Sequence, residues 1–415
     1  MADKEFALCE VPKEEKKSFF SLAIVWMGFV FIITSMMAGG GLAKGLNIRD
    51  IILVTVLGNI FLSFIAGLVS IIACKTGLTF ALLTRYTFGL KGSRLASLFV
   101  PVVNIGWYTI QAATYGHFLA MILGVEGFGE GILMAISAII MGIFAIIGIR
   151  AITILGYIAI PAIIFLSVFT AVKATSVVGG VSALFSYEPI ETLPLGQGIA
   201  IVVGTWILST STCIADIMRY AKNVKEAIWV GIIGLLGGNV LMIMCGAIAA
   251  IAVEESDLTV ILLGFGLVFP SLILMTTNIF TTNAANLYST SLNLANVFSW
   301  DRRKILTAIL IISALATFTR PYEIGTLFTF LGALGLIVPP LPGIILTDYF
   351  VIHRGEYSSL KCAEFKNWGL IAWGTWAISA GIAYFCPYGL PSLNGLVSSS
   401  IIYFVAMSLL NGGRK

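Results

Sequence analysis

The sequence predicts an all-α polytopic membrane protein of about twelve transmembrane helices. Three observations carry that expectation. Of the 415 residues, 59% are hydrophobic and only 11% are charged, against about a quarter charged in soluble globular domains. Apolar runs such as 51–74 and 226–253 are long enough to cross a hydrocarbon layer about 30 Å thick as helices. Short segments of alternating hydropathy, the mark of a transmembrane β-barrel, are not visible.

Charged and turn-forming residues cut the chain into blocks at roughly 19–43, 51–74, 95–123, 130–148, 151–176, 196–219, 226–253, 268–297, 304–318, 325–351, 367–386 and 391–411. The stretch 258–267 suits a short extra helix before the eighth block, and every connection reads as short. Residues 1–18 are polar and mixed in charge, without the layout of a cleavable signal peptide, so the first apolar run is expected to stay as a span. Six scattered cysteines form no CxxC pair and read as small buried thiols. Two histidines are too few for a metal cluster.

Lysine and arginine set the orientation. With the N-terminus inside, the inner segments hold Lys4, Lys13, Lys16 and Lys17, then Lys75, Arg85, Lys91 and Arg94, and then Arg150. They continue with Arg219, Lys222, Lys225, Arg302, Arg303, Lys304, Arg354, Lys361, Lys366, Arg414 and Lys415, twenty of the 24 basic residues. Lys44, Arg49, Lys173 and Arg320 stay outside. Both termini are therefore expected in the cytoplasm of a cell whose inner (plasma) membrane holds the chain. The net charge of +4 needs no nucleic-acid partner.

Two spans read as interrupted. Span one holds Gly28 and then SMMAGGGLAKG with Gly39, Gly40 and Gly41, and span six reads GTWILSTSTCIAD from Gly204 to Asp216. They occupy corresponding places if 19–176 and 177–351 are two five-helix repeats, inverted because five is odd. Residues 352–415 then supply helices eleven and twelve and a short C-terminus. Interrupted helices in corresponding positions point to a transporter's binding site.

Charged groups are nearly absent at mid-depth. Asp216 and Asp348 sit near helix ends and suit pairing or capping, and Glu126, Glu130, Glu254, Glu255 and Asp257 are assigned to outer loops. A pump with carboxylates along its path is thus poorly supported. His117 suits either a satisfied interface histidine or a proton site. Neutral groups remain: Asn104, Trp107 and Gln111 share one face of span three, and Trp206 adds a second ring in the expected break of span six. Two aromatics with amides suit a small planar polar heterocycle, although amides also join helices across interfaces.

The stretch TTNIFTTNAANLY, residues 276–288, puts Asn278, Thr282 and Asn286 along one helical face with Thr281 beside them and Asn283 turned onward. Threonine hydroxyls and asparagine carbonyls are hard neutral oxygens suited to a monovalent cation, since charge-dense divalent ions prefer carboxylates. Carbonyls freed where span one unwinds near Gly28 could complete an oxygen cage with Thr281 and Thr282. The alternative is that these hydroxyls bond back to their own helix. No P-loop, catalytic triad or metal spacing appears, so the chain is read as not an enzyme and without a cofactor.

The motifs SMMAGGGLAKGL (35–46), LGNIFLSF (57–64), CKTGLTFALLTRYTFGLKGS (74–93), NIGWY (104–108), IADIMRYAKN (214–223), TNIFTTNAANLYSTSLNLAN (277–296) and PPLPGIILTDYF (339–350) together resemble the nucleobase–cation symporters. Within that family they are most similar to the bacterial cytosine permeases, over roughly 18–350. The resemblance implies a LeuT-type fold of two inverted five-helix repeats plus two helices, working by alternating access. It implies that Trp107 and Trp206 stack on either side of a base whose edges are read by Asn104, Asn283 and backbone near Gly204 and Thr205. It also implies a sodium site of span-one carbonyls near Gly28 and Phe31 with Asn278, Thr281 and Thr282. The chain departs from cytosine permeases at Asn104, where they carry Gln, and at Trp206, where they carry Phe.

The expected function is sodium-coupled import of a neutral planar nucleobase, cytosine first, by a chain that works as a monomer. The rivals are a proton-coupled carrier, a carrier of another purine, hydroxymethylpyrimidine or hydantoin-like ring, and a membrane receptor without transport.

Overall fold

The computed structural model describes residues 6, 9–147, 149–189, 191–255, 258–266, 268–298 and 302–412. It describes backbone alone at 143–147, 149–159, 258–259, 274, 281, 285, 288–289, 291–293, 295–296, 298, 302–303 and 411–412. The expected Thr281 hydroxyl and the Tyr288 side chain therefore lie outside the described groups.

Local signals fix where the helices start. Ser18 caps α1 (Phe19–Val30) by accepting the Ser21 N–H, and after a two-residue gap the chain resumes as α2 (Ile33–Ala43) at an angle of 47°. Asn47 caps α3 (Ile48–Thr76), which stops at Gly77 in the left-handed region. Thr79 caps α4 (Phe80–Ser97), and α5 (Phe99–Leu123), α6 (Phe128–Ile147) and α7 (Ile149–Val177) follow. Next come α8 (Val181–Phe185), α9 (Leu195–Ser211), α10 (Cys213–Met218) and α11 (Val224–Ile232), the last capped by Asn223. A π-helical turn, Ile233–Asn239, joins α11 to α12 (Val240–Val253). The chain continues through α13 (Leu258–Gly264), α14 (Val268–Phe298), α15 (Arg302–Ala316) and α16 (Ile324–Ile337). It closes with α17 (Pro340–Thr347), a second π turn at Asp348–Ile352, α18 (Leu370–Phe385) and α19 (Pro391–Gly412).

Among the described residues, six helical stretches are long and apolar enough to cross a membrane, or seven if α1 and α2 form one span. Four shorter apolar helices accompany them. The helices form two packed groups. In one, α2 lies on α12 and α3 lies on α9 and α11; in the other, α14 lies on α5 and α6, and α15 on α6. The helix α7 touches both α12 and α14, and α16 leans on α9. Small residues allow the closest contacts, as expected where apolar burial between helices gives little drive. A Cβ at Gly39 would lie 2.0 Å from the Ile243 carbonyl oxygen, and one at Gly246 2.0 Å from that of Met36.

Three expectations need correction. The glycine run 39–41 is not a break but part of α2, where it seats that helix on α12. The interruption in span six falls at Thr212 (φ −132, ψ −73), so Gly204, Thr205 and Trp206 are helical. The connection before α5 is not short, because α4 occupies it. That helix kinks at Gly89 (φ 80, ψ 176), and the segment 353–369, which has no helix, clasps the kink. Leu90 and Lys91 donate their N–H groups to the Lys366 and Asn367 carbonyls at 2.9 and 2.8 Å, replacing partners the kink removed.

A bulky side chain at the α2–α12 seam should not be absorbed. Gly246→Val is expected to cost about 1–3 kcal/mol or more, lowering the thermal midpoint in detergent. Gly374→Ala, where a Cβ meets nothing within 4 Å, should leave that midpoint within error.

Candidate functional site

The gap in helix one is the first element of the site. The last carbonyls of α1, from Gly28 onward, have no partner four residues ahead in a continuing helix. Phe31 still donates to the Met27 carbonyl at 2.9 Å, but Ile32 is extended (φ −131, ψ 140). Asn278, in the middle of α14 and 1% exposed, reaches across. Its Nδ2 donates to the Phe31 carbonyl at 3.0 Å and its Oδ1 accepts the Ile33 N–H at 3.1 Å. One turn on, the buried Thr282 donates its Oγ1–H to the Asn278 carbonyl at 2.9 Å. That hydroxyl spends its proton on its own helix and keeps lone pairs to offer. The structure thus joins Phe31, Asn278 and Thr282. The sequence expectation put the unwinding near Gly28; the helix runs through Gly28 and opens at Phe31–Ile32, leaving Gly28 in its last turn.

The aromatic and amide groups lie on the neighbouring helices. Trp107, half-buried on α5, meets Phe330 of α16 edge-on at 5.2 Å. Trp206, buried on α9, meets Trp26 at 6.1 Å and Phe29 at 5.7 Å, both edge-on, and its indole N–H donates to Ser35 Oγ at 3.3 Å. The two rings Trp107 and Trp206 do not touch each other. The helix α16 touches both helices that carry them: its Phe330 meets Trp107, and its Leu331 carbonyl approaches α9 so closely that a Cβ at Gly204 would lie 2.2 Å from it. Thr205 donates to the Val202 carbonyl at 2.6 Å and accepts from Asn239 Nδ2 at 3.3 Å. Asn283, fully buried, lies against the Tyr108 carbonyl (3.5 Å) and Met141 Sδ (3.3 Å), and its Oδ1 has no partner among the described residues. Asn104 is buried on the same helix as Trp107, one turn earlier.

The ionisable residues take structural partners. Asp216 caps α4 by accepting the Phe80 N–H at 2.9 Å. Asp348 is fully buried and accepts from Tyr357 (2.7 Å) and Tyr403 (2.8 Å), with His353 Nδ1 at 3.2 Å. The hydrogen bond to Asp348 raises the His353 pKa above its usual value, against the opposing effect of burial. Glu130 is not in a loop; it lies in the first turn of α6. It gathers His117 Nδ1 (2.7 Å), the Tyr322 hydroxyl (2.7 Å) and Arg320 (3.1 Å). His117 thus pairs with a carboxylate across α5 and α6. Ser35, Asn239, whose Nδ2 also donates to Asn59 Oδ1 at 2.9 Å, and Phe330 escape sequence reasoning, because single polar or aromatic residues in apolar helices carry no spacing signal; only the GGN at 237–239 marks an irregular turn.

A family model described as permease for cytosine/purines, uracil, thiamine and allantoin matches residues 10–411. The cytosine permease of Escherichia coli strain K12 is 31% identical over 413 residues, covering 99% of this chain and 96% of that protein. The hydantoin permease of Microbacterium maritypicum is 22% identical over 430 residues, covering 94% and 85%. Among solved structures, an inward-facing conformation of Mhp1 superposes with a TM-score of 0.85 at 18% identity, covering 98% of this chain and 93% of that one. A closed conformation of Mhp1, a nucleobase-cation-symport-1 family transporter with bromovinylhydantoin bound, gives 0.79 at 19% identity, covering 98% and 96%. The chain shares that helical transporter fold.

Asn278→Ala leaves two buried backbone groups at the gap without partners. At about 1–3 kcal/mol for each, the thermal midpoint in detergent should fall well below that of Thr282→Val, which removes one helix-internal bond. Equal midpoints for the two variants would show that the amide does not hold the gap.

Proposed function

This chain belongs to the family of permeases for cytosine/purines, uracil, thiamine and allantoin, and we propose that within it the chain is a sodium-coupled symporter importing a neutral planar nucleobase, cytosine first. Family membership makes it a multi-pass membrane transporter and not an enzyme. The observation that carries the coupling proposal is the set of neutral oxygens at the gap in helix one. The Phe31 carbonyl, the last-turn carbonyls from Gly28, and Thr282, with Thr281 beside it in sequence, suit a monovalent cation and lack the carboxylates a divalent ion prefers. In this reading Asn278 shapes the site by holding the Phe31 carbonyl.

The base lies between Trp107 and Trp206, with Asn104 and the Asn283 Oδ1, unpartnered among the described residues, at its edges; the backbone at Gly204 and Thr205 is held within α9. In the structure Phe330 occupies the face of the site beside Trp107, so binding goes with a shift of α16 away from that ring. The working chain is a monomer of twelve spans with both termini in the cytoplasm. Residues 19–176 and 177–351 form the inverted repeats, and 352–415 the last two helices. Sodium favours the outward-open, base-binding arrangement, and closure over the base permits release inside. Each ligand shifts the equilibrium only as far as it binds one state more tightly.

The test is uptake of labelled cytosine into proteoliposomes. A sodium gradient alone should drive accumulation, undiminished when the proton gradient is dissipated; uptake that follows the proton gradient instead would replace sodium by proton coupling. Competition by purines, pyrimidines, hydantoin and allantoin identifies the preferred ring, which the hydantoin and allantoin permeases among the relatives make worth including. Thr282→Ala should abolish sodium-dependent uptake, and unchanged sodium dependence in that variant removes the ion site. Trp107→Ala should weaken base binding at least about fivefold, since base–aromatic stacking is worth about 1–3 kcal/mol, while leaving the elution profile unchanged. Native affinity in that variant removes the stacking arrangement.

A further inference from the structure

Trp206 is held from both sides of the gap in helix one. Its ring meets Trp26 and Phe29 on α1, before the gap, and its N–H donates to Ser35 on α2, after it. Both partners of that hydrogen bond are buried, at 5% and 1% exposure. An indole nitrogen only donates, so Ser35 Oγ fixes the ring's rotation as well as its place. The residues between Phe29 and Ser35 include Phe31 and Ile33, whose backbone Asn278 bridges. Any change in the 47° angle between α1 and α2 moves Phe29 relative to Ser35, and one rigid ring cannot follow both.

A second tether runs in parallel. The π turn presents Gly238 to Val30 and Phe31, where a Cβ would lie 3.1 Å from the Val30 side chain. The next residue, Asn239, donates to Thr205, the neighbour of Trp206. The segment Thr205–Trp206 is thus tied by two routes to side chains on residues flanking the gap.

We infer that Ser35 is a positioning residue that makes the orientation of the Trp206 ring depend on the geometry of the gap, and so couples the ion to the base. The inference rests on the reading above, in which the ion sits at the gap and the base stacks on Trp206. An ion drawing in the Phe31 carbonyl fixes the angle between α1 and α2. The fixed angle places Ser35, Ser35 places the ring, and a pre-organised ring binds the base more tightly. The same link makes the base raise the affinity for the ion by the same factor.

The experiment measures the dissociation constant of radiolabelled cytosine on the full chain in detergent, with saturating sodium and with sodium replaced by choline. The ratio of the two constants is the coupling. Ser35→Ala and Trp206→Phe, which keeps a stacking ring and loses the N–H, should each lower that ratio about 3–10-fold. Ser35→Thr, which keeps the hydroxyl, should restore it, and the double variant should fall no further than either single one. A merely structural defect weakens binding equally in both conditions and leaves the ratio unchanged. If the unmodified protein couples and both single variants bind cytosine with its full ratio, or if their effects add, the inference is wrong. A ratio of one in the unmodified protein removes the sodium reading, and this inference with it.

Discussion

The carboxamide of Asn278 gives the gap in helix one what the gap itself lost, a donor for the Phe31 carbonyl and an acceptor for the Ile33 N–H. In water such a gap would be solvated. In hydrocarbon an unpaired backbone group costs several kcal/mol, so an irregular segment persists only where protein supplies the partners. The helix α14 must therefore stay in register with both halves of helix one. The group of α5, α6, α14 and α15 is tied in this way to the group containing α2, α3, α9 and α12 at the gap in helix one.

Two further contacts are arranged around that point. On α9, the close approach of the Leu331 carbonyl to Gly204 lets α16 lie beside the site, and Phe330 one residue earlier covers Trp107. The chain leading into α16 is held by Glu130, which gathers Arg320, Tyr322 and His117 at one end of the helices. The packing that excludes a side chain from Gly204 is thus also what sets the reach of Phe330. The helix α16 thus bears on the Trp107 ring through Phe330 and on the α9 backbone at Gly204, two residues before Trp206.

The distribution of charge follows from the same solvent. Asp216, Asp348 and Glu130 are each spent on a helix end or a cluster of hydroxyls and a histidine. Around the gap in helix one, the described residues offer amide, hydroxyl and indole, groups that can be desolvated without an unpaired charge.

Composition and block length were enough to read an all-helical membrane chain, and the apolar blocks coincide with helices because about twenty apolar residues leave the backbone no other way to satisfy itself. The capping residues Ser18, Asn47, Thr79 and Asn223 are equally local, since each acts on an N–H three residues away. The repeated TTN pointed to Asn278 and Thr282 because spacing along one helix is itself sequence information. Where helix one opens was not legible: Gly28 and the run 39–41 are the residues most permissive of a break, yet the break falls at Phe31–Ile32, where a side chain 245 residues away supplies the missing partners. The same holds for Ser35 and Trp206, which are 171 residues apart. Sequence by itself determined the helices, their caps and the neutral chemistry of the interior, which depend on near neighbours and the surrounding solvent. Only the tertiary structure decided where backbone could leave the helix and which rings could reach the gap, because those depend on partners brought together by packing.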